Sequence, residues 1–400
     1  MTGPERRKPR LYLAAFIYGV LLLAPLGAQG GLTRQNWTAQ ESRTAQRRQD
    51  PWWHTLEEGK RYFRNGAYGD ALRAFEDARE NRKNYYAKME KDLIVLLSIH
   101  EVRRLGDDLG LVEVYIEREF RTDAAEALKE LYYRVPKRRL NNSAQAALRE
   151  IQKLKIYPEA EYWIGEVYRA EGELGVALSQ YQKAYDHRDL LETPGFDTEI
   201  RYKTADLRRV RTEYTEMVTI LEDILKADAL WSRESFTRSN MTRSLETNGI
   251  DRFLLLFRHN VPMVEKAHRR LGLYYYAYGR HTRAAEHLLF AALIQNTLII
   301  EALKKNAYDY TFTGLERLMD DVRPRRDLLA FIAETEYFRT LYYLANSLYA
   351  GGKSASAREI WAFLRDRGQG EWRGRSADQL RNPRLDRIPE IGDQRVQAGG

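Results

Sequence analysis

The sequence predicts an all-α protein in which helical hairpins stack into an α-α superhelix, interrupted by an irregular helical insertion. A pattern of small and large apolar residues returns four times along the 400 residues with the same internal spacing. Proline is scarce, with 11 residues, and the alternation of apolar and polar residues that is typical of strands is hard to find. The composition, 44% hydrophobic and 30% charged, is that of a globular chain.

Each copy of the pattern begins with a small residue, and all offsets are counted from it. A large residue stands three positions after it and a glycine seven positions after it. A second small residue, a second large residue and a final apolar residue follow at twelve, sixteen and nineteen positions. The four copies are Gly59, Tyr62, Gly66, Ala71, Phe75 and Ala78; Gly165, Tyr168, Gly172, Ala177, Tyr181 and Ala184; Gly272, Tyr275, Gly279, Ala284, Leu288 and Ala291; and Ala345, Leu348, Gly352, Ala357, Trp361 and Leu364.

This spacing predicts two helices joined by a tight turn. The first two residues share one side of the first helix, and the glycine takes the backbone angles at which that helix stops. The next small residue lets the second helix approach closely, and the large residue after it fills the space between the helices. One such hairpin leaves an apolar face uncovered, so the hairpins must stack and form a concave surface. The alternative is an ordinary helical bundle with coincidental spacing.

The pattern resembles the tetratricopeptide repeat, a helix–turn–helix unit of about 34 residues. In overall style the chain also resembles exported tetratricopeptide proteins of bacteria, including those of spirochaetes. The resemblance implies a solenoid with repeats at about 52–84, 158–191, 265–298 and 338–368. It also implies that the first helices of the repeats line a groove that binds a segment of a partner protein.

In tetratricopeptide proteins particular places of each first helix face this groove. On this sequence they imply the following groove residues: Trp53, Lys60, Phe63, Arg64, Tyr162, Glu166, Arg169, Lys266, Arg269, Tyr276, Arg339, Tyr342, Asn346 and Tyr349. Such a mixture of aromatic and basic side chains is enriched at binding hot spots. The alternative is that part of this set is buried between neighbouring helices.

Residues 1–30 have the features of a secretory signal peptide. Four basic residues within 6–10 precede the apolar stretch 11–24, and small residues follow it. The apolar stretch is short for a membrane span, which needs about 20 residues. We therefore expect export and cleavage, with an uncleaved N-terminal anchor as the alternative. Residues 31–50 are polar and predict a flexible spacer.

The chain contains no cysteine. Disulfides, thiolate metal sites and a lipid-bearing cysteine are therefore excluded, which favours the periplasm or cell envelope of a bacterium. The formal net charge is +8, but basic and acidic residues are interleaved. This pattern indicates a solvated helical surface, so no nucleic-acid partner is expected. Membrane contact is expected only through the N-terminal segment.

Periodicity divides the rest of the chain. Residues 51–191 are predicted to hold the first repeats, including degenerate hairpins, and residues 261–367 the later ones. Residues 192–260 are the predicted insertion, with one long amphipathic helix over Thr198–Leu225. Residues 368–400 are rich in Gly, Arg, Asp and Pro, which predicts a disordered tail.

No set of residues predicts catalysis. The seven histidines contain no pair four positions apart and are interpreted as scattered surface or capping residues, so no metal site is predicted. The stretch Gly351-Gly352-Lys353-Ser354 lacks the first glycine of a phosphate-binding loop and is interpreted as a turn. A Gly-x-Ser-x-Gly nucleophile motif is absent from the sequence. We therefore expect no enzyme activity and no cofactor.

These observations together predict a non-enzymatic scaffold or protein–protein interaction module of the cell envelope. Its groove would bind a segment of acidic character, because several of its predicted anchors are basic. Association with further copies of the chain is left open. The second hypothesis is a periplasmic ligand-binding or transporter-adaptor protein with a pocket between solenoid and insertion. The third hypothesis is an enzyme.

Overall fold

The structure, a computed structural model, describes residues 51–105, 149, 151–232 and 235–388. The predicted signal peptide, the spacer and residues 389–400 lie outside these residues, as does most of the chain between the first two predicted repeats. The described residues form fifteen α-helices and one short 3-10 helix, Arg188–Leu190, and include no β-strand. The prediction of an all-α protein is confirmed.

The described residues fall into two compact units, one up to Ile200 and one from Arg201. The first unit contains α1 (Trp52–Arg64), α2 (Tyr68–Leu105), α3 (Pro158–Ala170) and α4 (Leu174–Asp186). The boundary lies within α5 (Phe196–Val210). The second unit continues with α6 (Tyr214–Leu225), α7 (Ala229–Ser232), α8 (Ser235–Leu256), α9 (Pro262–Ala277), α10 (His281–Lys304), α11 (Leu315–Val322), α12 (Arg326–Glu334), α13 (Tyr337–Ala350), α14 (Ser354–Arg367) and α15 (Glu371–Arg381).

Two consecutive helices stand at each of the four predicted hairpins, and the same turn joins them. One residue in the left-handed region ends the first helix, and the next amide donates to the carbonyl five residues earlier, as in the Schellman motif. The left-handed residues at these four turns are Gly66 (φ 75°), Gly172 (φ 88°), Gly279 (φ 72°) and Gly352 (φ 80°). The hydrogen bonds run from Ala67 to Tyr62, Glu173 to Tyr168, Arg280 to Tyr275 and Lys353 to Leu348, at 2.8–3.0 Å.

A fifth hairpin with this turn lies inside the predicted insertion. The sequence predicts one helix over Thr198–Leu225, but the structure has α5 and α6 with a break at Thr212, whose φ is 63°. The Glu213 amide donates to the Arg208 carbonyl at 2.8 Å, which is the bond of the other four turns. The single-helix prediction is therefore wrong. The other four turns have glycine at the left-handed position, and threonine is uncommon there, so the sequence does not indicate this turn.

In the first three predicted hairpins the two helices approach so closely that only glycine fits at the crossing. In the fourth hairpin Ala345 stands at this place. A Cβ atom on Gly59 would stand 2.5 Å from the Phe75 ring, and one on Gly165 would stand 2.7 Å from the Tyr181 ring. At Gly272 the nearest atom, in the Leu288 side chain, would be 2.5 Å away. The first small and second large residues of the pattern are therefore packing partners.

The core of the second unit surrounds α10. This helix packs against α9 and α13, and sixteen of its 24 residues are buried. Among the described residues α10 is the one helix long and apolar enough to cross a membrane by length and composition, and 78% of its most apolar window is buried inside the protein. Burial of that extent is what a core helix shows.

Two segments depart from the sequence-based prediction. The second helix of the first hairpin was expected to end near residue 84, but α2 continues to Leu105, because neither glycine nor proline occurs between Arg79 and Leu105. Disorder was predicted from residue 368, but α15 forms at Glu371–Arg381 and packs against α14. The disordered-tail prediction is wrong for residues 371–388, whose polar composition conceals a few buried anchors such as Gln379 and Ile388.

Candidate functional site

A cleft of about 260 Å³ opens in the second unit among α5, α6, α9 and α13. Its lining combines four arginines with two carboxylates, two tyrosines and a small apolar floor. These residues are Ala205, Asp206, Arg209, Tyr214, Met217, Arg269, Arg270, Leu273, Tyr274, Glu336 and Arg339. We call it the arginine cleft.

The arginines converge because each hairpin contributes its first helix. Arg209 lies near the end of α5, Arg269 in the middle of α9 and Arg339 in the first turn of α13. Three helices from three hairpins thus present basic side chains to one space. The sequence predicted Arg269 and Arg339 as groove residues, but it did not predict Arg209, because Thr212 concealed the turn that makes α5 a first helix.

One carboxylate joins two of these arginines. Glu336, the residue before α13, forms an ion pair with Arg269 through one oxygen and accepts a hydrogen bond from Arg339 Nη1 at 2.7 Å through the other. Burial alone would raise the pKa of this carboxyl. The positive charges of Arg269 and Arg339 have the larger effect, so the pKa lies below its usual value. Glu336 is therefore ionised and holds the two guanidinium groups in place.

The remaining arginines keep unused hydrogen-bonding capacity. Arg270 pairs with Asp206 at 2.6 Å, while its buried Nη1 atom has no hydrogen-bond partner in the described structure. Arg209 is exposed and forms no ion pair with any described residue. The four arginines face two lining carboxylates, and Arg269 also pairs with the buried Glu265 at 3.1 Å. Four guanidinium groups against three carboxyl groups still leave an excess of positive charge.

Tyrosines form the apolar side of the arginine cleft. The rings of Tyr214 and Tyr274 lie 6.0 Å apart at an interplanar angle of 30°. Tyr278 extends the group, with its ring 4.5 Å from that of Tyr274 and 42% of the residue exposed. Arginine and tyrosine together are the residues most enriched at protein-binding hot spots.

Three predicted groove residues of the second unit are instead buried. Tyr276, Tyr342 and Asn346 have at most 3% of their surface exposed. The two tyrosines bond to Asp386 after α15, and Asn346 bonds to Tyr276 and Trp361. The prediction that they meet a partner directly is wrong for this conformation, because the chain's own residues occupy their polar groups. Tyr349 packs on the ring of Trp361, and Lys266 lies over the ring of Tyr202 at 5.0 Å.

In the first unit the predicted groove residues divide into a buried and an accessible set. Tyr162 and Glu166 are at most 4% exposed, and Glu166 accepts hydrogen bonds from Arg169 and Tyr181, so the expectation of a groove role is wrong for these two. The accessible set lies on α1 and α3. Its members are Trp53, Lys60, Phe63, Arg64 and Arg169, and Trp53 is 56% exposed. The Lys60 ammonium lies 5.6 Å from the centre of the Trp163 ring, and the Phe63 ring lies 5.7 Å from the same ring.

A second polar cluster is buried under α7. His259 Nε2 donates to Asp228 Oδ2 at 2.7 Å, and His268 Nε2 lies 3.6 Å from the same oxygen. Nδ1 of His268 lies 3.2 Å from Nδ1 of His287. The interpretation of these histidines as surface or capping residues is therefore wrong. They are separated in sequence, so no sequence spacing indicated that they lie together. Among the described residues no group of three or more His, Cys, Asp or Glu side chains has the geometry to hold a metal ion.

Protonation in this cluster follows from its surroundings. Burial lowers the pKa of His268 and lowers that of His287 well below its usual value. Burial would raise the pKa of Asp228, but the hydrogen bond from His259, with His268 close by, holds it well below its usual range. His268 Nε2, 3.6 Å from the same carboxylate oxygen, has no hydrogen-bond partner among the described residues.

No protein-family model matches the chain. It is 26% identical over 325 residues to an uncharacterized protein of Treponema pallidum (strain Nichols), which covers 80% of this chain and 87% of that protein. It is 21% identical over 235 residues to an uncharacterized protein of Borreliella burgdorferi (strain ATCC 35210 / DSM 4680 / CIP 102532 / B31), covering 53% of this chain and 72% of that one. Neither description assigns an activity.

Proposed function

We propose that this protein is a non-enzymatic binding module of the bacterial cell envelope, a tetratricopeptide-like solenoid that holds an acidic segment of a partner protein in the arginine cleft. The observation that supports this most is the convergence of Arg209, Arg269 and Arg339 from three first helices onto one space beside paired tyrosines. That arrangement matches an extended segment that crosses successive hairpins.

Glu336 indicates what the cleft binds. Its carboxylate already bridges Arg269 and Arg339, so the two guanidinium groups are arranged for a carboxylate. An acidic side chain of the partner pairs first with Arg209, which is exposed and without an ion pair among the described residues. It then shares or displaces Glu336 at the two inner arginines.

The solenoid part of the proposal is supported by local geometry. Five hairpins use one turn, and three glycines of the repeated pattern stand against the large residue sixteen positions later. The export part is supported by the basic and apolar N-terminal sequence and by the lack of cysteine.

The size of the cleft favours side chains over a whole small ligand. At about 260 Å³ it is below the usual pocket range of roughly 300–1,000 Å³ for drug-sized molecules. A periplasmic ligand-binding or transporter-adaptor role is therefore the weaker candidate.

The test compares capture of partner proteins from envelope extract by three forms of the tagged protein. These are the wild type, Arg209→Glu/Arg339→Glu, and the control Arg317→Glu/Arg323→Glu. The control makes the same charge change at side chains 70% and 74% exposed, one on α11 and one directly after it. We expect wild type and control to capture the same partner, in amounts that decrease as salt is raised, and the cleft variant to lose at least tenfold.

Equal capture by the cleft variant and the control would exclude the arginine cleft as the binding site. A small molecule found in purified protein by native mass spectrometry, with no protein captured by the wild type, would instead establish the adaptor alternative.

A further inference from the structure

Residues 384–388 lie extended against the buried tyrosines of α9 and α13. The hydroxyl of Tyr276 donates to the main-chain carbonyl of Asp386 at 2.9 Å, and the hydroxyl of Tyr342 donates to the Asp386 carboxylate. Asn346 donates to the Tyr276 hydroxyl at 3.4 Å and so connects the two helices. The sequence assigned all three residues to a partner-binding groove, and the chain's own C-terminal segment occupies the hydroxyls of Tyr276 and Tyr342.

The main chain of this segment is held by one side-chain amide. Gln379 of α15, 2% exposed, accepts a hydrogen bond from the Arg384 amide at 2.8 Å and donates to the Arg384 carbonyl at 2.9 Å. The same amide donates to the Tyr342 hydroxyl at 3.0 Å. Such a pair of bonds to one residue's main chain fits any extended peptide, because it uses no side chain of the segment.

From Leu385 to Ile388 the side chains alternate between solvent and protein, as in a bound strand, while Arg384 is exposed. Asp386 and Ile388 face the protein, and Ile388 is 1% exposed within the core of the second unit. Leu385, 47% exposed, and Arg387 face outward. The surface formed by α9, α13 and α15 thus contacts two side chains of the segment, a carboxylate and, two residues later, an aliphatic side chain.

We propose that Tyr276, Tyr342 and Gln379 form a peptide-binding surface and that residues 384–388 are its internal occupant. The partner that fits is an extended segment of another protein with a carboxylate followed, two residues later, by an aliphatic side chain. Such a segment makes the same bonds, so it and residues 384–388 exclude each other. The inference does not depend on the arginine cleft, which is lined by other residues.

Competition within the chain determines the measurable effect. A short tether gives residues 384–388 a local concentration of about millimolar, so a free peptide binds the wild type weakly. Weakening the internal segment while leaving the surface intact should therefore strengthen binding of the free peptide.

The test uses a fluorescein-labelled peptide with the sequence of residues 382–390 and measures anisotropy on adding the full chain. We expect Asp386→Ala/Ile388→Ala to bind the peptide at least tenfold more tightly than the wild type. The matched control Leu385→Ala/Arg387→Ala changes the two outward side chains and should bind it no better than the wild type. A peptide with alanine at its Asp and Ile positions should not bind any form.

Two further variants keep the result decisive if the double variant loses helix in circular dichroism. Ile388→Ala alone should gain part of the affinity, and adding Tyr342→Phe to it should remove the gain. A folded variant that binds the peptide no better than the wild type, or binds the alanine peptide equally, would overturn the inference. Arg209→Glu should leave peptide binding unchanged, which separates this result from that of the arginine cleft.

Discussion

Arg269 and Glu336 form an ion pair that connects two hairpins, and Glu336 makes it from a left-handed backbone conformation with φ 49°. Thr212 and Glu336 are the two non-glycine residues with positive φ in the described part of the chain. Such a conformation costs a residue about 1–3 kcal/mol and persists where surrounding contacts enforce it. Here those contacts include Arg269 and Arg339, the two arginines assigned to the partner's acidic group.

Replacing Glu336 with Gln should strengthen partner binding while weakening the fold. The change removes the negative charge between Arg269 and Arg339, so an acidic segment no longer competes with it. We expect several-fold tighter binding and a decrease in the free energy of unfolding of about 1 kcal/mol, since the ion pair is only partly buried. Titration with the captured partner and chemical denaturation measure the two effects. Glu334→Gln, an exposed residue at the end of α12, is the control, and weaker binding by Glu336→Gln would contradict the proposal.

The glycines inside and outside helix crossings should respond oppositely to alanine. A Cβ on Gly165 would lie 2.7 Å from the Tyr181 ring, so Gly165→Ala should lower the free energy of unfolding by about 1–3 kcal/mol. Gly69 in α2 has no atom within 4 Å of such a Cβ, so Gly69→Ala should raise it by about 0.5–1 kcal/mol. Denaturation followed by circular dichroism compares them, and the same sign for both would disprove the predicted crossing.

Thr212→Gly should stabilise the fifth turn. Threonine at φ 63° is strained, and glycine relieves about 1–3 kcal/mol of strain while losing about 0.5–1 kcal/mol to backbone entropy. We expect a net increase of about 1 kcal/mol in the free energy of unfolding. Thr219→Gly, an exposed residue inside α6, should instead destabilise by a similar amount. A loss of stability in Thr212→Gly would show that residues 198–225 do not turn at this point.

Stability should fall as the pH is lowered through the range just below 6.5. Burial places the pKa values of His268 and His287 in the folded protein below the ordinary value of 6.5. Below pH 6.5 the unfolded chain therefore binds protons that the folded protein does not, and the free energy of unfolding falls by up to about 1.4 kcal/mol per pH unit for each group. His287→Gln should reduce this slope between pH 6.5 and 5, measured by denaturation at each pH. At pH 8, where the histidines are neutral in both states, the change in the free energy of unfolding of His287→Gln measures the packing effect alone. An unchanged slope between pH 6.5 and 5 would contradict the prediction.

The hairpins were predictable because their determinants are local. Gly66 and Gly172 mark turns that only a left-handed residue closes, and Gly165 precedes Tyr181 by the sixteen positions that place the two at one helix crossing. Backbone angles and helical periodicity act over a few residues, so a single sequence shows them. Thr212 gives no such local signal, because its side chain does not mark the left-handed conformation that it adopts in the structure.

The sites were decided by tertiary structure. Arg209, Arg269 and Arg339 are separated by sixty and seventy residues in sequence, and only the stacking of three hairpins brings them to one cleft. Likewise Asp386 lies in a segment whose composition predicts disorder, and two tyrosine hydroxyls from α9 and α13 bind it. Local patterns predicted the paired helices of the four hairpins and the four turns that join them, since those depend on neighbours along the chain. The cleft and the occupied peptide surface depend on contacts between distant residues, which no local pattern records.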